Sequence, residues 1–357
     1  MAITKVTTPV TGFESAVDIG LKIPVGNNSN LPTGVEGMIR NDTDEDSGGT
    51  NSTTAITFYN GTDWKYFNST KSIVTITLDF LIVAGGGGGA RSAFTTGGSS
   101  GGGGGAGEFL YKTAQSLETK GSGYTLTVGD GGSAGVSGTS AANGENSVFI
   151  DTVLGGGYGG TGNNSTYSPG NSGGSGGGSG INGSTIYAGG SSTATSPGLG
   201  NVGGASTSAS VVYGSGGGGG AGAAGSNGTS NTGGNGGIGF QSAITASSLY
   251  YAGGGGGGSF DSNNVGTGGL GGGGNANGRA AGSPGASNTG GGGGGGGYSG
   301  SAHTNGANGG SGIVIIRYAT ADVTSYTITG AAPTETIDGT YTILSFTTVG
   351  TGTIIFN

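Results

Sequence analysis

Apolar and β-branched residues alternate with polar residues in short stretches that predict β-strands. The clearest stretch is 73–83, where the alternation ends in a continuous apolar run. A second apolar stretch, 312–318, follows a long glycine-rich part of the chain. We expect these two strands to pair and to hold together the ends of everything between them.

Shorter strand patterns occur inside this bracket and before it. The segments 107–112 and 124–128 predict a further strand pair, with another strand at 147–150. Near the N-terminus, 35–40 predicts a strand and 55–67 predicts a hairpin. Asn-Gly at 60–61 supplies the two positive-φ positions of its tight turn. We expect Trp64, the single tryptophan, to pack in this small β unit.

The C-terminal part again alternates strand patterns with turn residues. Strands are predicted at 323–328, 341–347 and 353–356, and no segment of the chain has a convincing helical period. We therefore expect three domains. They are an N-terminal β module for attachment or oligomerisation (1–70), a glycine-rich domain (71–319) and a C-terminal β segment (320–357).

Glycine accounts for 96 of the 357 residues and is concentrated in runs. A disordered linker is the ordinary interpretation of such runs, because ordering glycine costs more chain entropy than ordering any other residue. Only 8% of the residues are charged, however, which is low for a disordered chain. The main runs are 85–89, 101–105, 216–220, 253–258, 271–274 and 291–297.

Extended glycine runs can form an ordered core of their own. In a polyproline II conformation every N–H and C=O group points away from the rod, so neighbouring rods can bond to one another. Glycine is needed there because a Cβ would push the backbones apart. We therefore predict a mainly β chain with a polyglycine II helix bundle and little or no α-helix. Its scaffold glycines include Gly87, Gly103, Gly218, Gly255 and Gly294.

Inserts rich in Ser, Thr, Asn and Ala separate the runs and carry most of the aromatic residues of this domain. Tyr187, Tyr213 and Tyr251 precede runs and are candidates for closing the ends of the bundle. Tyrosine among small polar residues also suits a contact surface, since it gives area and hydrogen bonds at low entropic cost. The candidate residues for such a contact are Phe94, Tyr167, Tyr187, Tyr250, Tyr251, Phe260 and Tyr298.

Candidates for catalysis or metal binding are weak. Asp42, Asp44 and Asp46 alternate like the start of a calcium loop, but the required glycine and final glutamate are missing. His303 is the only histidine and there is no cysteine, so we expect it in an exposed insert. Paired carboxylates cannot be nominated. We expect no enzyme activity, no metal and no cofactor.

Charge and composition restrict the partners and the compartment. The net charge of −8 disfavours nucleic acid, and the longest apolar stretch is too short to span a bilayer. No secretion signal is visible, so we expect synthesis in the cytoplasm. We attribute the nine Asn-x-Ser/Thr sequons to composition; they begin at Asn27, Asn41, Asn51, Asn60, Asn68, Asn163, Asn164, Asn182 and Asn227.

Two motifs at the edges of the glycine domain resemble the glycine-rich domain of bacteriophage tail-fibre and adhesin proteins. They are FLIVA at 80–84 followed by glycines, and GGSGIVIIRY at 309–318. EGMIRNDT at 36–43 with YNGTDW at 59–64 is similar to a β module of marine and cyanobacterial phage tail fibres. YTILSFTTVGTGT at 341–353 is similar to a strand pair with which such proteins end.

The resemblance implies a sandwich of polyglycine II helices over roughly 73–319, with distal loops that recognise the host. It implies a non-enzymatic structural protein of the virion, a tail fibre or distal adhesin. Its partners would be a bacterial cell-surface protein or glycan and other virion tail proteins, and a homo-oligomer, with a trimer favoured, is expected. Two alternatives stay open: a self-assembling extracellular or capsid-surface filament subunit, in which 341–356 complete a neighbour's sheet, and an ice-binding protein.

Overall fold

The computed structural model divides the chain into two compact units, Met1–Ile73 and Val74–Asn357. The structure describes residues 25–26, 39–42, 55–59, 64–66, 75–92, 99–118, 123–162, 169–182, 185–209, 212–230, 232–260, 264–300 and 302–357. These residues are arranged in β-strands and extended segments, with one short 3-10 helix at Thr320–Asp322 and no α-helix. The prediction of a mainly β chain with little or no α-helix is confirmed.

The first ten strands cover the N-terminal unit and the first part of the second unit. They are β1 (Val25–Gly26), β2 (Ile39–Asp42), β3 (Ala55–Tyr59), β4 (Trp64–Tyr66), β5 (Thr75–Val83), β6 (Ser99–Ser100), β7 (Phe109–Glu118), β8 (Tyr124–Val128), β9 (Ser147–Phe149) and β10 (Asp151–Val153).

The remaining ten strands follow in the second unit. They are β11 (Ile181–Asn182), β12 (Thr207–Ala209), β13 (Val212–Gly214), β14 (Phe240–Ser242), β15 (Leu249–Tyr251), β16 (Ile313–Ala319), β17 (Tyr326–Thr329), β18 (Thr334–Asp338), β19 (Tyr341–Phe346) and β20 (Gly350–Phe356).

The N-terminal unit contains a four-stranded sheet in the order β1-β2-β3-β4. The predicted hairpin is confirmed, because β3 and β4 pair antiparallel with Tyr59 opposite Trp64. The strand predicted at 35–40 overlaps β2 at residues 39–40, and residues 35–38 lie outside the described part. The Asn-Gly turn at 60–61 and the packing of the Trp64 side chain lie outside what the structure describes.

The second unit is built on two five-stranded sheets packed face to face. One has the order β18-β19-β16-β5-β7 and the other β10-β9-β8-β20-β17. Apolar side chains from the facing surfaces form a core between them, and Phe80 packs edge-on against Phe149 with ring centroids 5.4 Å apart. We call this two-sheet body the sandwich. The predicted pairing of the two strands that bracket the glycine-rich part is confirmed, because β5 and β16 are antiparallel neighbours with Val83 opposite Ile313.

The predicted pairing of 107–112 with 124–128 is wrong. β7 lies at the edge of the first sheet beside β5, whereas β8 lies in the second sheet between β9 and β20. Strand β18, which the sequence pattern did not predict, pairs with β19. The C-terminal strands thus complete both sheets: β19 lies beside β16, and β20 lies beside β8.

The glycine runs form rods that bond to one another with a period of three residues. Along the rod 85–90, N–H groups three residues apart donate to the same neighbouring segment, as Gly86 and Gly89 do to Gly310 and Ala307. The three acceptor segments are 307–310, 142–145 and 102–105, and all run antiparallel to the rod. Three residues per turn is the repeat expected for polyglycine II.

The carbonyl groups of the same rod bond to three further segments. They accept N–H groups from 132–135, 156–159 and 293–296, which run parallel to it. The rod 85–90 therefore has six neighbours, held only by backbone hydrogen bonds. The rod 101–107 is likewise bonded to six segments. We call the whole set of rods the bundle.

A Cβ does not fit between these rods. On Gly87 it would overlap the carbonyl oxygen of Gly157 and lie 2.8 Å from that of Gly156. At Gly103, Gly218, Gly255 and Gly294 it would likewise overlap a carbonyl oxygen of a neighbouring rod. At these five positions the rods thus approach too closely for any residue other than glycine.

Asparagine side chains replace a neighbouring rod at the surface of the bundle. The Oδ1 atom of Asn143 accepts the N–H of Tyr158 at 3.0 Å, and that of Asn235 accepts the N–H of Thr267 at 2.9 Å. Similar bonds join Asn275 to Gly268, Asn308 to Ala134 and Asn227 to Ala205. These side chains satisfy backbone donors that no rod covers, a role that no sequence pattern predicted.

Candidate functional site

The bundle has two distinct ends. The rods 84–92 and 154–162 leave the sandwich after β5 and β10, and the rods 99–108 and 304–312 return to it at β7 and β16. Antiparallel bonds between outgoing and returning rods place the inserts that connect them away from the sandwich. We call that end the loop end, and the other the sandwich end.

The predicted contact residues divide between the two ends. Tyr187, Phe260 and Tyr298 lie at the loop end, whereas Tyr250 and Tyr251 lie in β15 at the sandwich end. Phe94 and Tyr167 lie outside the described residues.

Three aromatic rings and the only histidine come together at the loop end. Phe260 and Tyr298 stack with their ring centroids 5.1 Å apart and their planes 7° from parallel. Tyr213 meets Phe260 edge-on at 5.7 Å, and His303 lies 4.7 Å from the Tyr298 ring. All four side chains are half-buried. We call these four residues the loop-end aromatic cluster.

Backbone bonds between separate inserts position these rings. The N–H of Phe260 donates to the carbonyl of Tyr213 at 3.0 Å, and the N–H of Tyr298 donates to the carbonyl of Ser259 at 3.2 Å. The Tyr298 hydroxyl donates to the carbonyl of Gly300 at 2.9 Å, within its own insert. Three inserts that are far apart in sequence are therefore joined into one surface.

His303 lies in an insert, as expected, but its side chain is half-buried in the cluster. Its Nδ1 lies 3.2 Å from the hydroxyl of Ser92, which donates to the carbonyl of Gly297 at 2.7 Å. Burial, and then the positive charge of Arg91, lower the pKa of His303 below its ordinary value. Both effects favour the neutral form of the imidazole.

At the sandwich end the aromatic residues mainly join the bundle to the first sheet. Tyr251 is only 4% exposed and belongs to a buried apolar cluster that also contains Ile244, Val83 and Ile315. Burial raises the pKa of its hydroxyl. Its burial agrees with a role in closing the end of the bundle and leaves little surface for a partner. Tyr250, the preceding residue, is 39% exposed.

Charged side chains of the bundle segregate along its length. Among the described residues, the acidic ones are at the sandwich end: Glu108, Asp130, Glu145 and Asp151. The two arginines of the bundle, Arg91 and Arg279, are both at the loop end. The described loop end is thus the positive end of a protein whose net charge is −8.

Glu108 is a buried carboxyl group between the bundle and the sandwich. It is 4% exposed, and its Oε2 accepts the N–H of Leu154 at 2.9 Å. Burial raises the pKa of Glu108, and hydrogen bonds from the backbone of Leu154 and Thr195 oppose that rise. A buried carboxyl with a raised pKa makes the stability of this junction depend on pH.

The described residues contain no group of three or more histidine, aspartate or glutamate side chains that could hold a metal ion. Asp42 ends β2, whereas Asp44 and Asp46 fall outside the described part. Within that part, no helix has the length and apolar character needed to cross a membrane.

A family model described as a glycine-rich domain matches residues 62–319. The match includes β5, the bundle and β16, so the rods and the strands that bracket them lie within one family unit. No curated protein and no solved structure matches the chain. Since the family model spans more than half of the 357 residues, the chain belongs to the glycine-rich domain family.

Proposed function

We propose that the chain is a non-enzymatic structural protein of a phage virion, a tail fibre or distal adhesin that presents host-recognition loops. The observation that carries the proposal is the arrangement of the bundle, which displays its inserts at the end away from the sandwich. The resemblance of the edge motifs and terminal segments to phage tail fibres supports the same assignment.

The bundle is suited to this task because its core does not use the side chains of the inserts. A rod with six bonded neighbours keeps its position through backbone groups alone. The inserts can therefore change in sequence and length while the rods stay in place. A receptor-binding surface can therefore change in sequence when its receptor changes, without any change in the rods that support it.

The proposal assigns the other parts as follows. The N-terminal unit attaches the protein to other virion tail proteins or holds a homo-oligomer, with a trimer favoured. The partner at the loop end is a bacterial cell-surface protein or glycan. The proposal includes no catalytic residue, no cofactor, no nucleic-acid partner and no membrane insertion.

Adsorption competition tests the proposal. Purified protein is added to candidate bacterial cells before phage, and both its binding and the remaining phage attachment are measured. Saturable binding that blocks attachment is expected, and Tyr298→Ala should weaken it. Tyr111→Ala is the matched control, since it removes a 38% exposed tyrosine of β7, in the sandwich. Failure to bind any cell that the phage infects would overturn the proposal.

The filament alternative draws less support. It needs 341–356 to add to the sheet of a neighbour, but β19 and β20 each pair with two strands of their own chain. Concentration-dependent fibrils of the purified protein would favour it nevertheless. The ice-binding alternative stays a prediction that thermal hysteresis tests.

A further inference from the structure

The loop end combines two features that the scaffold does not need. The rods are held by backbone bonds, yet three aromatic rings and a histidine cluster beyond them. Half-buried aromatic rings at a surface offer apolar faces beside polar edges. The C–H face of a sugar ring packs against such a surface, while its hydroxyl groups reach the polar atoms around it.

Charge adds a second, independent feature. Tyr298 directly follows the rod 291–297, and the insert that carries Arg279 lies beside that rod: the N–H of Asn277 donates to Gly295 at 3.3 Å. Arg279 itself is exposed. Arg91 is next to Ser92, whose hydroxyl lies 3.2 Å from His303 in the cluster, and its Nε donates to Asn305 at 3.2 Å.

Guanidinium groups bind carboxylates and phosphates through paired, charge-assisted hydrogen bonds. We propose that the loop-end aromatic cluster, together with Arg279 and Arg91, binds an anionic glycan, a saccharide that carries carboxylate or phosphate groups. The inference rests on the proposed function, because it names the class of receptor that the loops recognise.

Charge complementarity favours a glycan of this class over a neutral one. The acidic side chains described in the bundle lie at the sandwich end, so an anionic polymer that approaches the loop end meets arginines first. Between Asp151 and Asp322 the sequence contains one acidic residue, Asp261, next to Phe260. Asp261→Asn is therefore expected to strengthen binding, which gives the test a change in the opposite direction.

The experiment measures binding of the full purified chain to three immobilised polymers: polygalacturonate with carboxylates, a phosphomannan with phosphates, and neutral dextran. We expect binding to one or both anionic polymers, weakening as ionic strength rises, and at least tenfold weaker binding to dextran. The two anionic polymers distinguish the carboxylate source from the phosphate source.

Variants locate the site. Arg279→Gln changes an exposed side chain and should weaken binding about tenfold, equal to about 1.4 kcal/mol. Phe260→Ala and Tyr298→Ala should have a similar effect, and Tyr111→Ala, at a 38% exposed tyrosine of β7 in the sandwich, should have none. Because an aromatic truncation can loosen the inserts, thermal unfolding is compared with wild type, and Phe260→Leu tests whether apolar packing alone suffices.

Three outcomes would overturn the inference. They are equal binding of dextran and the anionic polymers, unchanged binding by Arg279→Gln, and adsorption to cells without binding of any polymer. The last result would leave the proposed function intact and point to a protein receptor. Absence of adsorption to host cells would instead count against the proposed function, whatever the polymers show.

Discussion

The bundle and the sandwich are both ordered, but they use different parts of the polypeptide as a core. In the sandwich, buried side chains such as Phe80 and Phe149 fill the space between two sheets. In the bundle, backbone atoms of adjacent rods fill the interior, and the rod 85–90 bonds to six neighbours. Hydrophobic burial therefore stabilises the first region, and hydrogen bonds with close backbone contact stabilise the second.

Energetic magnitudes explain why the two regions occur together. Ordering a residue costs about 1–2 kcal/mol of backbone entropy, and one amide hydrogen bond returns about 0.5–1.5 kcal/mol. Hydrogen bonds alone therefore barely offset the ordering of a rod. The apolar contacts of Val83, Ile315 and Tyr251, which join the sheet to the end of the bundle, add the stabilisation that glycine cannot supply.

The largest expected effect comes from a side chain in the bundle core. At Gly255 a Cβ would overlap the carbonyl oxygen of Gly293 and lie 2.7 Å from its carbon. Gly255→Val should abolish soluble, folded protein, and Gly255→Ala should already lower the melting temperature. At Gly123 a Cβ would meet only the Ile355 side chain, at 3.7 Å, so Gly123→Ala is the control. A folded, fully active Gly255→Val would refute the backbone-packed core.

Truncation in the sandwich core should have the next largest effect. Phe80 is 0% exposed, so Phe80→Ala should lower the free energy of unfolding by about 3–5 kcal/mol. Because β5 leads directly into the first rod, we expect sandwich and bundle to unfold in one transition at a lower denaturant concentration. Two separate transitions in denaturant titration would show that the regions are stable independently.

Surface bonds of the bundle should matter less. Asn235→Ala removes the acceptor for the N–H of Thr267 and should lower the free energy of unfolding by about 1 kcal/mol. Asn235→Asp keeps an acceptor oxygen and should retain most of that stability. Equal losses in both variants, measured by chemical denaturation, would mean that the hydrogen bond contributes little.

The smallest effect concerns pH at the junction of the two regions. Burial raises the pKa of Glu108 in the folded state, so this group favours folding at low pH. Its contribution is lost as pH rises from about 4.5 through the folded-state pKa. Glu108→Gln should therefore gain stability relative to wild type over that range. If the difference in free energy of unfolding between the two proteins is the same at every pH, this assignment is contradicted.

Several elements of the fold could be predicted because their signal is local. An Asn-Gly step between β-branched and aromatic stretches predicted the hairpin of β3 and β4, and two apolar stretches predicted the pairing of β5 with β16. The hairpin signal lies in adjacent residues, whereas the pairing of β5 with β16 was predicted because these two stretches bracket the glycine-rich part of the chain. The predicted pairing of β7 with β8, in contrast, was wrong. The residue patterns of these strands do not specify which of several available strands lies beside each.

The candidate site depended even more on tertiary structure. Tyr213, Phe260 and Tyr298 stand in different inserts, and only the directions of the rods place those inserts at one end. The same directions put Tyr250 and Tyr251 at the other end, although their sequence context is similar. The bridging role of Asn143 and Asn235 was also invisible, because it exists only where a rod has no neighbour on one side.

The sequence by itself thus determined which kinds of segment the chain contains: glycine runs that permit close backbone approach, and apolar strands that bracket them. Propensity and periodicity are properties of neighbouring residues, so they can be read along the chain. The tertiary structure decided which rods touch, which end displays the inserts and which rings form a surface. Those outcomes come from hydrogen bonds between residues distant in sequence, such as Gly86 and Gly310, for which no local pattern exists.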